Sequence, residues 1–395
     1  MPPSFRFYSR QSELERVPLR QLMSPAAMKP MSDRPIETPA LKPHRRIIEL
    51  DALRALAAIN LVLFHLTHVY EVKFGYVESL GWEWPYGAYG VELFFILSGF
   101  VNSMSLMRRG QPVDFVAARM IRIVPIFLMV ILFNVWIMTM QPLTQTPLTV
   151  AQLAANLTLM PRVLGQECID PVMWTLQIEI LFYGLLVSLY RLGGLKRYFL
   201  GWGVLCGLSL AVCPTLDAVS ATHGEAWWFT IANSVRRLLI LDFAPLFAIG
   251  FLLYMIKTRT GSRIGNGIAM VVAATVFHCI DHGKHNPVAT MLIIGLVTAA
   301  AYGKLPMLRL RPFVVISTLS YALYLCHNNL GCVLIHRLNQ GGWSSNISLA
   351  IVALFSFCFA YLITAWIDQP LNRRLRDAWV RIRKQESVAP VTQAT

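Results

Sequence analysis

Residues 48–70 read Ile48-Glu-Leu-Asp51-Ala-Leu-Arg54-Ala-Leu-Ala-Ala-Ile-Asn-Leu-Val-Leu-Phe-His65-Leu-Thr-His-Val-Tyr70. The apolar run is long enough to cross a bilayer as a helix, since about 20 residues at roughly 1.5 Å each cover the hydrocarbon. It nevertheless carries Asp51, Arg54 and His65. Arg54 and His65 are eleven residues apart, and eleven steps of about 100° return to within roughly 20° of the starting direction, about 16 Å along the axis. Both side chains therefore lie on one face. Ionisable groups inside a span are costly and usually line a cavity or meet a partner, so this face is expected to be the wall of a site. The alternative is a snorkelling Arg and a His bonded to a neighbouring helix.

Outward from that helix, the chain repeats the pattern. It has 395 residues, 55% of them hydrophobic and 14% charged, with a mean hydropathy of +0.52. Such a composition excludes a soluble domain and predicts an all-α polytopic membrane protein. Ten spans are expected, at about 48–70, 90–107, 123–140, 172–190, 198–216, 238–256, 264–280, 287–302, 312–336 and 346–367. With the N-terminus in the cytosol, 28 of the 35 Lys and Arg fall in inner segments, as the positive-inside rule requires, so both termini are expected inside. The net charge of +14 then reflects topology and anionic lipid, with no nucleic-acid partner needed. Residues 1–46, rich in Pro, Met, Ser and Arg, read as a disordered basic tail. Residues 47–375 form the membrane domain, and 376–395 a basic cytosolic tail. The seven cysteines show no metal-ligand spacing and no metal is expected.

Several polar residues fall within the expected spans. Glu92 and Ser98 are on the second, with Ser98-Gly99 reading as a close-packing contact more than a nucleophile. Arg119 and Arg122 share one side at the expected start of the third, and two forked guanidiniums suit a phosphate or diphosphate. Glu179 lies in the fourth span with Gln177 nearby and Tyr183 one turn on; His327 lies in the ninth. His65, Glu179 and His327 reach comparable depth from three helices, which predicts a buried polar site.

These stretches, in order, resemble the membrane-bound acyltransferase-3 family: Leu50-Asp-Ala-Leu-Arg54 with His65; Gly90-Val-Glu-Leu-Phe-Phe-Ile-Leu-Ser-Gly-Phe100; Arg119-Met-Ile-Arg-Ile-Val-Pro125; Trp174-Thr-Leu-Gln-Ile-Glu-Ile-Leu-Phe-Tyr183; Ser320-Tyr-Ala-Leu-Tyr-Leu-Cys-His327; and Asp368-Gln-Pro370. The similarity spans about 47–375. Glu92 stands where the family commonly has Asp, Ala118 where a further Arg often occurs, and Asp368 where Glu is usual.

The resemblance implies an inner-membrane O-acyltransferase, most simply an O-acetyltransferase. Its donor would be acetyl-CoA or another acyl-CoA from the cytosol. Its acceptor would be a hydroxyl of an extracytoplasmic or exported polysaccharide or lipid-linked glycan, with polysaccharide assembly proteins as further partners. In that frame Arg54, Arg119 and Arg122 bind the coenzyme's phosphates, and His65 is the general base, since an imidazole with a pKa of about 6.5 accepts a proton at working pH. Glu179 and His327 either orient that imidazole, bind the acceptor or, for His327, polarise the carbonyl. A two-step route through His65 or Ser98 stays open. A small-molecule or lipid acceptor, a proton-coupled transporter and a non-catalytic partner of glycan assembly are the competing readings.

Overall fold

A computed structural model describes residues 47–109, 111–140, 147–223 and 226–388. The tail expected over 1–46 lies outside the described residues, as does the end of the chain beyond 388. Among the described residues all regular elements are helices: α1 (Ile48–Phe64), α2 (Tyr70–Phe74), α3 (Tyr89–Arg109), α4 (Pro112–Met140), α5 (Val150–Leu157), α6 (Trp174–Arg191), α7 (Leu195–His223), α8 (Trp227–Leu238), α9 (Ala244–Thr258), α10 (Arg263–Ile280), α11 (Pro287–Ala301), α12 (Arg311–Gln340), α13 (Ser345–Ile363) and α14 (Gln369–Val388). A helix lies within each of the ten expected spans, although 239–243 of the sixth is a turn that separates α8 from α9. Among the described residues seven runs are long and apolar enough to cross a membrane, including the continuous run Ile48–Phe74, while α9 and α11 are shorter apolar helices. The chain is thus an all-α, multi-pass membrane protein, as a bilayer demands of a backbone that must satisfy its own hydrogen bonds.

Helix α12 is less apolar because it turns polar groups inward: Ser317, Ser320, His327, Asn328, Asn329 and Asn339 are all buried. Its neighbours are α1, α13 and α4, while α3 packs between α1 and α9. The α3–α9 crossing is as close as backbones allow. A Cβ on Gly250 would sit 2.0 Å from the Ile96 carbonyl oxygen, and one on Gly99 would sit 2.2 Å from that of Phe247. Only paired glycines permit this approach, so Ser98-Gly99 does mark a packing contact. Beside it, Phe182 of α6 stacks on Phe247 of α9 with ring centres 4.0 Å apart.

The helices also run longer than the apolar signal. Helix α4 starts at Pro112 and not near 123, so Arg119 lies about two turns inside it and Arg122 nearly three. The region expected as a basic tail from 376 is helical to Val388. Two π-turns interrupt the α geometry. The one at Thr364–Asp368 precedes Pro370, whose ring and missing N–H prevent a normal turn. The other, at His65–Val69, begins at the histidine that the sequence singled out; π-turns recur at functional sites.

Candidate functional site

The imidazoles of His65 and His327 meet, 262 residues apart in sequence, with His327 Nε2 3.3 Å from His65 Nδ1. Backbone carbonyls fix how they share protons. The Nδ1–H of His327 donates to the carbonyls of Tyr324 (2.8 Å) and Leu323 (3.1 Å). Its Nε2 is then an acceptor in the neutral ring. His65 Nδ1–H donates to the Leu61 carbonyl at 2.8 Å and faces that acceptor. The hydrogen-bond network therefore assigns the proton of neutral His65 to Nδ1 and leaves Nε2 with a lone pair. His327 is fully buried, whereas His65 lines a cavity of about 730 Å³ together with Trp174, Thr175, Tyr324, Arg162 and His285.

A second cavity, of about 80 Å³, is lined by Arg54, Arg122, Ser98, Glu179, Ser320 and Tyr321. Leu61, Val91, Thr175 and Tyr324 line both spaces, so the two adjoin at a waist. Arg54 lines the smaller cavity and His65 the larger, so the two residues on one face of α1 border adjoining spaces. Phe94, Phe95 and Leu176 supply apolar walls in the smaller cavity. Tyr324 is held at the waist by its hydroxyl, which donates to the Val172 carbonyl and contacts Thr175 Oγ1, both at 2.5 Å.

Glu179 stands apart from the histidines. Its Oε1 accepts from the Tyr183 hydroxyl at 2.5 Å and from Ser98 Oγ at 3.4 Å, in the same cavity as the two arginines. The comparable depth expected for His65, Glu179 and His327 therefore resolves into two groups, a histidine pair and a Glu–Arg group. The reason is register: His65 is three turns beyond Arg54 on α1, and Glu179 meets the Arg54 end. The three arginines divide as well. Arg54 and Arg122 line the cavity, whereas Arg119 lies behind it, its guanidinium 5.5 Å from the Phe115 ring centre and 5.8 Å from that of Tyr183.

Asp170, Asn328 and Asn329, which the sequence did not single out, brace the pair. Asp170 is fully buried just before α6, where its Oδ1 accepts from Val172 N–H (3.2 Å) and Asn328 Nδ2–H (2.9 Å). Its Oδ2 accepts from Asn329 N–H at 3.2 Å, so one carboxyl pins α12 immediately after His327. Burial raises this carboxyl to about 6 despite those donors. The signals were an Asp-Pro helix start and two consecutive amides within a membrane helix, both local cues with no indication of each other. Among the described residues no group of three His, Cys, Asp or Glu is placed to hold a metal.

A family described as an acyltransferase domain matches residues 47–367. The chain is 29% identical over 311 residues to the exopolysaccharide production protein ExoZ of Rhizobium meliloti (strain 1021), covering 76% of this chain and 94% of ExoZ. It is 25% identical over 310 residues to the putative membrane-bound transacylase BcsY of Komagataeibacter xylinus, covering 72% and 73%. It is 27% identical over 361 residues to nodulation protein 10 of Rhizobium leguminosarum bv. viciae, covering 81% and 92%. None of the solved structures matches the chain.

Proposed function

The chain belongs to the acyltransferase domain family matched over residues 47–367, and from that premise we propose that it carries an acyl group, acetyl in the first instance, across the cytoplasmic membrane. The donor is acyl-CoA from the cytosol, and the acceptor is a hydroxyl of a cell-surface polysaccharide or its lipid-linked precursor on the opposite side. A relative named for exopolysaccharide production supports that acceptor class, and one named as a membrane-bound transacylase supports acyl transfer at a membrane. The observation that carries the reading is the pair of adjoining cavities, one lined by Arg54 and Arg122 and the other by His65.

The coenzyme's phosphates cannot enter hydrocarbon, so they stay at the arginine end, where guanidinium forks match phosphate oxygens. Arg119, stacked behind Tyr183, adds charge without entering the cavity. The pantetheine arm is slender enough to follow the apolar walls to the waist. The smaller cavity, at about 80 Å³, holds only a few waters, so loading the arm widens it. Glu179, held by Tyr183 and Ser98, balances the arginines.

At the waist the acceptor hydroxyl donates its proton to His65 Nε2 while its oxygen attacks the thioester carbonyl. The tetrahedral adduct collapses by breaking the C–S bond, and the departing thiolate takes the proton back from His65 Nε2. The products are an O-acyl ester and free coenzyme A. In the intervening imidazolium, Nδ1–H remains bonded to Leu61 and faces His327 Nε2, which stabilises the charge. His327 is thus a positioning residue for the base.

Sealed inside-out membrane vesicles supplied with radiolabelled acetyl-CoA test this. Wild type should label lumenal glycan or lipid-linked sugar, and His65→Ala and Arg54→Ala at matched expression should each lose at least about 100-fold. Undiminished labelling by His65→Ala would overturn the assignment of the base.

A further inference from the structure

The large cavity is lined by four carboxylates (Glu92, Asp217, Asp242 and Asp281) and four Arg or Lys side chains (Arg162, Arg236, Arg237 and Lys284), and they are not evenly paired. Arg236 is bound by two carboxylates, Asp217 at 2.6 Å and Asp242 at 2.5 Å. Asp281 accepts from His285 Nδ1–H at 2.6 Å, and Glu92 accepts from Thr290 at 2.7 Å with His285 Nε2 at 3.8 Å from its other oxygen. Arg162 and Arg237 lie on the same cavity, and among the described residues neither has a carboxylate at salt-bridge distance.

Both arginines are held in place by more than charge. The N–H of Arg162 donates to Gln177 Oε1 (2.9 Å), its carbonyl accepts from Arg237 Nη1 (2.7 Å), and its guanidinium lies 5.8 Å from the Trp174 ring centre. Arg237 comes from α8, a helix with two faces. Trp227, Ile231, Val235 and Leu238 are exposed on one, a stripe that suits the headgroup layer, while Asn233, Arg236 and Arg237 line the cavity from the other. Burial and the neighbouring Arg162 both lower the Arg237 guanidinium from its ordinary value. Two clamped cations repel each other until an anion lies between them, and a guanidinium over an indole keeps its edge donors free.

We propose that Arg162 and Arg237 form a subsite for an oxyanion of the acceptor, a carboxylate or phosphate carried near the hydroxyl that receives the acyl group. The subsite rests on the acyl-transfer reading for its place in a reaction, and its test is independent of turnover. The full chain in lipid nanodiscs is titrated with three probes: cellotetraose, the matching tetramer of glucuronic acid, and inorganic pyrophosphate. Wild type binds at least one anionic probe tenfold or more tighter than cellotetraose. Arg162→Gln and Arg237→Gln each lose about tenfold for that probe, and Lys73→Gln, outside the cavity, binds as wild type. Preference for the uronate assigns the charge to a sugar acid, and preference for pyrophosphate assigns it to a lipid-linked diphosphate. Equal binding of cellotetraose and both anions by wild type overturns the subsite whether or not the variants fold, as do folded variants that bind anions like wild type. Radiolabel transfer on the same preparations separates the two readings. Anion preference without transfer defeats acyl transfer alone, and transfer without anion preference defeats the subsite alone.

Discussion

Replacing His327 with Ala separates a base from the residue that positions it. The substitution removes one hydrogen bond of 3.3 Å to His65 Nδ1, while the 2.8 Å bond to the Leu61 carbonyl remains and still holds the tautomer. A hydrogen bond to a charged group contributes about 1.5–3 kcal/mol, and the long distance places this one near 1.5 kcal/mol. At about 1.4 kcal/mol per factor of ten, the expected loss is roughly 10-fold in kcat. The bond strengthens only as His65 becomes charged, so KM for acetyl-CoA should not change. His65→Ala removes the proton acceptor itself and should cost about 10²–10⁴. Initial rates of acetyl transfer across a donor concentration series, with thermal midpoints to control for the cavity left by a buried ring, give both parameters. A His327→Ala enzyme as inactive as His65→Ala would make His327 a base in its own right, and one with wild-type kcat would remove it from the site.

The division among the arginines predicts that Arg122→Ala raises KM for acetyl-CoA about tenfold or more, while Arg119→Ala, outside the cavity, raises it less; equal effects would mean that both reach the donor. Gly250→Ala should destabilise the protein by about 1–3 kcal/mol or more, because its Cβ would meet the Ile96 carbonyl at 2.0 Å; a thermal midpoint equal to wild type would disprove the close crossing. Asp170 predicts a pH dependence. Burial raises its folded carboxyl to about 6 from 3.8, so the folded state binds the proton more tightly, and the stability it contributes is complete below about pH 4 and lost as pH rises through 6. The difference in stability between wild type and Asp170→Asn should therefore shrink by about 2 kcal/mol between pH 4 and 7, and a difference that does not vary with pH would show that the group does not titrate there.

Much of the site was legible because it is written along single helices. The shared face of Arg54 and His65 follows from eleven residues of helical rotation and survives because the π-turn starts only at His65. The Ser98-Gly99 contact was legible for the same local reason. Helix α8 was legible in principle, since Trp227, Ile231, Val235 and Leu238 recur at helical spacing, but its low hydropathy places it outside a search for spans. Partners across helices were a different matter. Equal depth suggested Glu179 beside His65, yet Glu179 meets the Arg54 end of α1, because how far one helix is shifted along another has no signal within either helix.

From the sequence alone came the helices, their membrane environment and the family, because long apolar runs in a bilayer can satisfy their backbone only as helices and because six short motifs occur in order. The tertiary structure decided that His65 pairs with His327, that Glu179 joins Arg54 and Arg122, that Asp170 anchors Asn328 and Asn329, and that Arg237 donates to the Arg162 carbonyl. Such pairings depend on how each helix is rotated and how closely it packs. Those are set by contacts such as Gly99 against Gly250, which join residues far apart in the chain and leave no periodic trace in it.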